Sequence, residues 1–412
     1  MKQSQAMAFP ETGDLSSRTR KFTLYTESVG AGIGRYTYEL AQALIQTGAD
    51  AQLLAPALPW EEGHPFLGKR RVFLPTPQGK WRPRRIASLI RRAVAGLASA
   101  FRIGRREPIV FSHLVGVPPF SMLGLWGAKL AGARCALLLH DFYPHQLRFP
   151  PLLQPLERFL YRGAYRTFDL VVALTDAQRG QLRAIGVRPD AIAHIPHGVF
   201  PLGGVRPPRA DGPLTLLVFG SLRQNKQIQE TVRAIQKLRR RQIEVELIIA
   251  GSPGREDALY WSDCLDVVRS APQGIEVLDR FIEEEELAAL LSRVHAFICP
   301  YKNFDSQSGV AMLALSNGIP LIATATVGIP AEMGPACQMI APNADTDDIE
   351  AGIRAFQNEG VSQMQVRAAD TRDQLLRDRS WIIIAETLTA RLTQSGFFSN
   401  RDEHSNAAQG NT

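Results

Sequence analysis

Four cysteines in 412 residues, Cys135, Cys264, Cys299 and Cys337, leave no pair at CxxC or metal-ligand spacing. That argues against a zinc site or a disulfide framework and for reduced core thiols. The flanks "RCALLLH" and "AFICPY" have the apolar density of buried strands. No apolar run reaches the ~18 to 20 residues that a bilayer span requires. The best candidate, "VGVPPFSMLGLWGAKLAGAR", is broken by prolines and polar residues, and "MKQSQAMAFPETGDLSSRTRK" lacks the apolar centre of a signal peptide. These absences point to a cytoplasmic protein, soluble or peripheral.

The dinucleotide fingerprint is missing too. "SVGAGIGRY", Ser28 to Tyr36, follows the apolar run "KFTLYT" and opens an apolar-periodic stretch, which is where such a fingerprint belongs. Its glycines, Gly30, Gly32 and Gly34, stand two apart, and the third required position holds Arg35. The second apolar run, "AQLLAP", ends without the carboxylate that would hold a ribose. The fingerprint of a nicotinamide enzyme therefore fails, but the physics of the loop remains. Glycines let the backbone approach an anion, and a helix start offers free N–H groups.

Acidic residues are absent from Lys69 to Arg106, which carries twelve basic ones. Ile86, Leu89, Ile90, Val94, Leu97 and Phe101 share one helical face there, and Arg84, Arg91, Arg92 and Arg102 lie largely off it. A basic amphipathic helix of this kind suits an anionic membrane surface. Alternatively its apolar face packs on a sheet. Nucleic acid is not expected, since stacking aromatics are few.

What the chain has in quantity is alternation. The runs "FTLYT", "AQLLAP", "IVFSHL", "CALLLH", "LVVALT" and "IAHIPHG" read as strands. The stretch "FPLGGVRPPRADGPL" reads as a linker. A second series follows: "TLLVFG", "VELIIAG", "IEVLD", "AFICPY" and "PLIATA", separated by helices ending near Arg240, Arg269, Val294 and Asn317. Strands separated by helices of ~10 to 15 residues mean parallel sheets, so the fold class is α/β with two Rossmann-like domains facing a cleft. In the second series Arg223 and Lys226 stand three apart at a strand-to-helix turn, where they can neutralise a diphosphate without a metal. The polar "DSQSG" before the helix at Gly309 aims the N–H groups of Ser308, Gly309 and Val310 at the cleft.

Taken in order, the glycine loop, "FGSLRQNK", "LIIAG" and "GVAMLALSNGIPLIAT" resemble the family 4 (group 1) glycosyltransferases of the GT-B fold. "RSWIIIAETLTARL" resembles that family's last helix, which crosses back to the N-terminal domain. The polar, aperiodic stretches 1–20 and 396–412 read as disordered tails, and the resemblance implies an acceptor domain at 21–205, a nucleotide-sugar domain at 210–378 and a returning helix at 379–395. It implies a metal-independent, retaining hexosyltransferase without a cofactor, using a UDP- or GDP-linked donor. The acceptor is then a glycan or a polyprenyl-diphosphate-linked one, in cell-surface polysaccharide (exopolysaccharide) synthesis at the inner membrane face. Arg223, Lys226, Ser308, Gly309 and Val310 match the donor-diphosphate grip, and Gly32, Ile33 and Gly34 the loop facing donor sugar and phosphate. His140 matches the active-site histidine and Asp305 a catalytic carboxylate. Gly220, Ser221, Gln307, Arg280 and Phe281 complete the expected donor contacts. The family's two glutamates, eight positions apart, are here Asp305 and Leu313, and Gln227 follows Lys226 where glycine is usual. A catalytically silent GT-B protein acting as a glycan-binding or partner subunit is the other reading.

Overall fold

A computed structural model of the chain describes residues 20–27, 31–55, 70–72, 82–114, 118, 120–144, 147, 149–206, 212–254, 257–304, 307–324 and 334–398. The expected tails fall almost wholly outside these residues, as do Asp305, Gly30 and part of the linker. Among the described residues, no helix is long and apolar enough to cross a membrane.

Two parallel sheets build the molecule. The first has seven strands, β1 (Lys21–Tyr25), β2 (Asp50–Ala55), β3 (Arg70–Val72), β4 (Ile109–Phe111), β5 (Cys135–Leu139), β6 (Leu170–Ala173) and β7 (Ile192–His194), in the order β3-β2-β1-β4-β5-β6-β7. The short, arginine-bearing edge strand β3 was not among the expected strands. The second sheet has six: β8 (Leu214–Phe219), β9 (Val245–Gly251), β10 (Ile275–Asp279), β11 (Ala296–Cys299), β12 (Leu321–Thr324) and β13 (Cys337–Ile340), ordered β10-β9-β8-β11-β12-β13. Strands such as "CALLL" and "AFIC" are buried along their whole length, because helices cover both sheet faces.

In the first unit, α1 (Ala31–Gln46) covers one face, and α2 (Arg82–Gly104), α3 (Leu123–Leu130) and α4 (Gln154–Thr167) cover the other. α5 (Asp176–Ala184) precedes β7. The second unit carries α6 (Ile228–Arg240), α7 (Ala258–Ser270), α8 (Glu284–Leu291), α9 (Gly309–Ser316), α10 (Thr346–Glu359) and α11 (Val361–Asp378). The last helix, α12 (Trp381–Gln394), packs into the first unit: Ile384, Leu388 and Leu392 share a core with Leu40 and Leu44 of α1. The fold is therefore α/β, with two Rossmann-like domains and a C-terminal helix that crosses back.

α2 does not pack as its pattern led us to expect. The small residues Ala93, Gly96, Ala100 and Gly104 are buried, while Ile90, Val94 and Phe101 are exposed. Gly127 of α3 explains this: a Cβ there would lie 2.3 Å from the Leu97 carbonyl oxygen, so α3 rests on the α2 backbone itself. Arg92 is buried rather than on the polar face, and its guanidinium donates to the Glu27 carbonyl.

Trp381 joins the two units. Its ring lies 4.9 Å from that of Tyr36 and 5.5 Å from that of Phe200, under Gly198, where a Cβ would come 2.9 Å from the indole. Trp381→Ala is expected to cost about 3 kcal/mol, through loss of packing on both sides. A urea unfolding curve checks this.

Candidate functional site

Each sheet has its strand order reversed at one point, between β1 and β4 in the first and between β8 and β11 in the second. Ligands of such sheets bind beyond the carboxyl ends of the strands at these points. The residues of interest follow from that rule.

Gly220 ends β8 with φ +87°, a conformation that disfavours a side chain. A Cβ on it would sit 3.4 Å from Lys226 Nζ and 3.5 Å from Val310 Cγ2, so the turn after β8 and the start of α9 meet there. Lys226 is buried, donates to the Phe219 carbonyl and lies 5.7 Å from the Tyr301 ring centroid. Burial, with the nearby Arg223 adding repulsion, pulls its pKa from 10.5 down to about 8. Among the described residues neither Arg223 nor Lys226 has a carboxylate partner.

Ser308 caps α9, its hydroxyl accepting from the Ala311 N–H at 3.2 Å. Among the described residues the N–H groups of Gly309 and Val310 bond to nothing, so two donors stand open at the positive end of α9, whose Val310 side chain lies, like Lys226 Nζ, against Gly220. α6 is different. Its first N–H groups, from Ile228 and Gln229, donate to the Tyr260 hydroxyl at 2.8 and 3.4 Å. That helix start is occupied and does not join Arg223 and Lys226 as an anion site. Gln227 stands ahead of it at φ 51°, ψ 46°, which accounts for glycine being usual at this position.

Across the cleft, His140 follows β5 directly and is held through its backbone, the Gln178 side chain donating to its carbonyl at 2.8 Å. Its ring is buried edge-on to Tyr36 at 4.5 Å, and Nε2 has no hydrogen-bond partner among the described residues. Burial, then the neighbouring His113 and His197, hold its pKa well below 6.5. The ring is therefore neutral at pH 7.

His197 joins the halves. Its backbone N–H donates to Gln307 Oε1 at 3.0 Å, and a Cβ on Gly309 would lie 4.0 Å from its Nε2. Burial lowers its pKa to about 4. Arg35 makes a second link, with Nη2 3.1 Å from Glu284 Oε1 and the guanidinium 5.3 Å from the Phe200 centroid.

The structure thus brings Gly220, Lys226, Val310 and Gly309 together, and through His197 and Tyr36 connects them to His140. Ser221 is exposed beside them. Gly32, Ile33 and Gly34 form the first turn of α1, not a loop ahead of it, and a Cβ on Gly32 would meet nothing within 4 Å. Arg280 and Phe281 stand apart, after the edge strand β10. The Arg280 guanidinium is held by Glu286, Nη1 donating to Oε2 at 2.7 Å, and Phe281 is half exposed. Leu313 is buried in the apolar core of the second unit. Asp305 lies outside the described residues. Sequence reading missed Tyr36, His197 and the Arg35 bridge. The histidine-glycine pair after the last strand of the first series was the available signal. Among the described residues no three His, Cys, Asp or Glu side chains are grouped to hold a metal ion.

Residues 30–201 match the model described as Glycosyltransferase Family 4, and residues 213–358 that described as Glycosyl transferases group 1. A glycogen synthase of Mycobacterium tuberculosis is 31% identical over 194 residues, 45% of this chain and 44% of that protein. The match thus spans less than half the length of the curated relative. Among solved structures, sucrose-phosphate synthase from Thermosynechococcus elongatus superposes with a TM-score of 0.72 at 17% identity, over 93% of this chain and 100% of that one. Anabaena HepE, in complex with UDP and glucose, gives 0.70 at 14% identity over 91% and 100%.

Proposed function

We propose, from the premise that the chain belongs to the family 4 and group 1 glycosyltransferases of the GT-B fold, a specific division of labour across its cleft. The second domain, 210–378, grips a UDP- or GDP-sugar, and the first, 21–205, presents a glycan or polyprenyl-diphosphate-linked acceptor. The product is a cell-surface polysaccharide, assembled at the cytoplasmic face of the membrane. The observation that carries this reading is that the buried Lys226 ammonium and the start of α9, with its open N–H groups, both border Gly220. A buried cation and a helix N-terminus without a carboxylate between them form a receptor for a diphosphate.

As the bond between the sugar C1 and the diphosphate breaks, negative charge grows on the leaving oxygen. Lys226, Arg223 and the α9 N–H groups stabilise that charge without a metal. Retention of configuration has the acceptor hydroxyl approach from the leaving-group face, its proton passing to the departing phosphate oxygen. Burial keeps the His140 ring neutral, so the end of β5 adds no charge beside the sugar. UDP is the favoured donor base, since the solved neighbour HepE was crystallised with UDP and glucose.

Thermal unfolding with UDP, GDP and ADP in turn tests the grip. One of the first two is expected to raise Tm by several degrees and to lose that effect in Arg223→Ala. If none of the three shifts the wild type, the reading fails. The silent alternative is motivated by Leu313, whose buried side chain cannot accept from a ribose. It predicts a nucleotide shift with no hydrolysis of any nucleotide sugar.

A further inference from the structure

We propose that the proline-rich turn before α4, with the first two turns of α4, is a prong that inserts into an anionic bilayer beside the mouth of the cleft. The inference rests on the reading that the acceptor is borne by a membrane. It locates the contact at a place the basic run 69–106 does not include.

Leu152 is 89% and Phe159 65% exposed, with Leu153 and Leu156 each nearly half exposed. Large apolar side chains clustered on a surface are uncommon unless something covers them. Here the backbone that carries them is fixed. Pro150 and Pro151 enter a single tight turn, closed by the Leu153 N–H donating to the Pro150 carbonyl at 2.8 Å. The fully buried Glu157 anchors it, Oε2 accepting from the Phe149 N–H at 2.8 Å. A rigid turn that holds leucines outward has little backbone entropy to lose on insertion.

The charge around it selects the occupant. From Arg82 to Phe168 the chain carries three carboxylates, Glu107, Asp141 and Glu157, and none is exposed. Arg158 and Arg162 flank the prong, and Arg91 lies exposed in the first half of α2, in the same helical layer. Protruding apolar groups on a helix whose exposed charges are Arg158, Arg162 and Arg166, its one carboxylate being buried, match anionic headgroups over an acyl interior.

Topology supplies the location. In a parallel α/β layer each helix starts at the carboxyl edge of the sheet, so the beginnings of α2 and α4 share the rim of the cleft. The connection that forms the prong begins at His140 itself. A bilayer seated there brings a lipid-linked sugar to the histidine without removing its lipid from the membrane.

The test is co-sedimentation of the full chain with phosphatidylcholine vesicles, with and without phosphatidylglycerol. The wild type is compared with Leu152→Ser/Leu153→Ser/Phe159→Ser and with Arg91→Glu/Arg102→Glu. Thermal unfolding confirms that both variants fold. The wild type is expected to sediment only with phosphatidylglycerol, and the serine variant to partition about tenfold less or weaker still. If the serine variant binds like the wild type while the glutamate variant does not, the prong is rejected and membrane docking through α2 stands. Wild-type protein left in the supernatant of both preparations rejects prong and docking together, and equal recovery on both rejects the anionic partner. A wild-type dimer in gel filtration that the serines convert to monomer makes the prong a protein interface and overturns the proposal.

Discussion

Lys226→Ala is expected to lower kcat/KM for the donor sugar about a thousandfold, with the fold intact. The magnitude follows from removing a buried charge that faces another: losing one partner of such a pair costs about 3–5 kcal/mol, largely because the other is left desolvated. Lys226→Arg keeps the charge but not the fit beside Gly220 and is expected to recover only part of the loss. The pH dependence identifies the group. Burial lowers its pKa from 10.5 to about 8, and a bound diphosphate favours the ammonium. Nucleotide affinity is therefore full below pH 8 and falls by up to about tenfold per pH unit above it. Stability without ligand runs the other way. The unfolded chain holds the Lys226 proton up to pH 10.5 and the folded chain releases it near 8, so this residue makes the protein more stable as pH rises between those values. Calorimetric titration with UDP and urea unfolding at pH 7 and 9 measure the two trends. Parallel trends would remove Lys226 from the site.

The second large effect is structural. Gly251→Ala is expected to destabilise by about 4 kcal/mol or to prevent folding. Gly251 ends β9 at φ +144°, a backbone conformation that L side chains rarely adopt, and an added Cβ would lie 1.9 Å from the Gly220 carbonyl oxygen. Conformational strain and overpacking each contribute roughly 1–3 kcal/mol. The neighbour that must yield is Gly220, so any protein that folds has its Lys226 turn displaced and binds UDP more weakly. Gly32→Ala is the contrasting case. Gly32 lies in a helix with open space around it, so alanine is expected to add up to about 1 kcal/mol of stability. A fall in donor turnover in that more stable variant marks Gly32 as a site of close ligand approach. Unchanged turnover marks it as a helix residue only.

The sheets were legible wherever strands are buried on both faces, because "CALLL" and "AFIC" then read as unbroken apolar runs. β3 and β13 were not. "RRV" and "CQMI" are edge strands, the one mostly arginine and the other interrupted by glutamine, and neither reads as a continuous apolar run. The helix start in "SVGAGIGRY" was placed late because glycine has low helix propensity, yet the structure begins α1 at Ala31. The face of α2 was misread for a related reason. Periodicity marks where large apolar groups lie, and here close packing by α3 selects the small ones instead. Arg223, Lys226 and the start of α9 could be placed from sequence because a strand end followed by a helix start is a local signal. His197 and Tyr36 become site residues only through contacts between domains, which no local pattern encodes.

The position of α12 in the chain bears on how the protein is made. Ile384, Leu388 and Leu392 complete the core built by Phe22, Leu40 and Leu44, so the first domain synthesised closes last. Until residue 394 has cleared the ribosome, the α1 face stays an open apolar groove while the second domain is already able to fold. Such a surface is a target for chaperones and for aggregation during synthesis. Truncation before Trp381 therefore leaves the N-terminal domain with that groove uncovered.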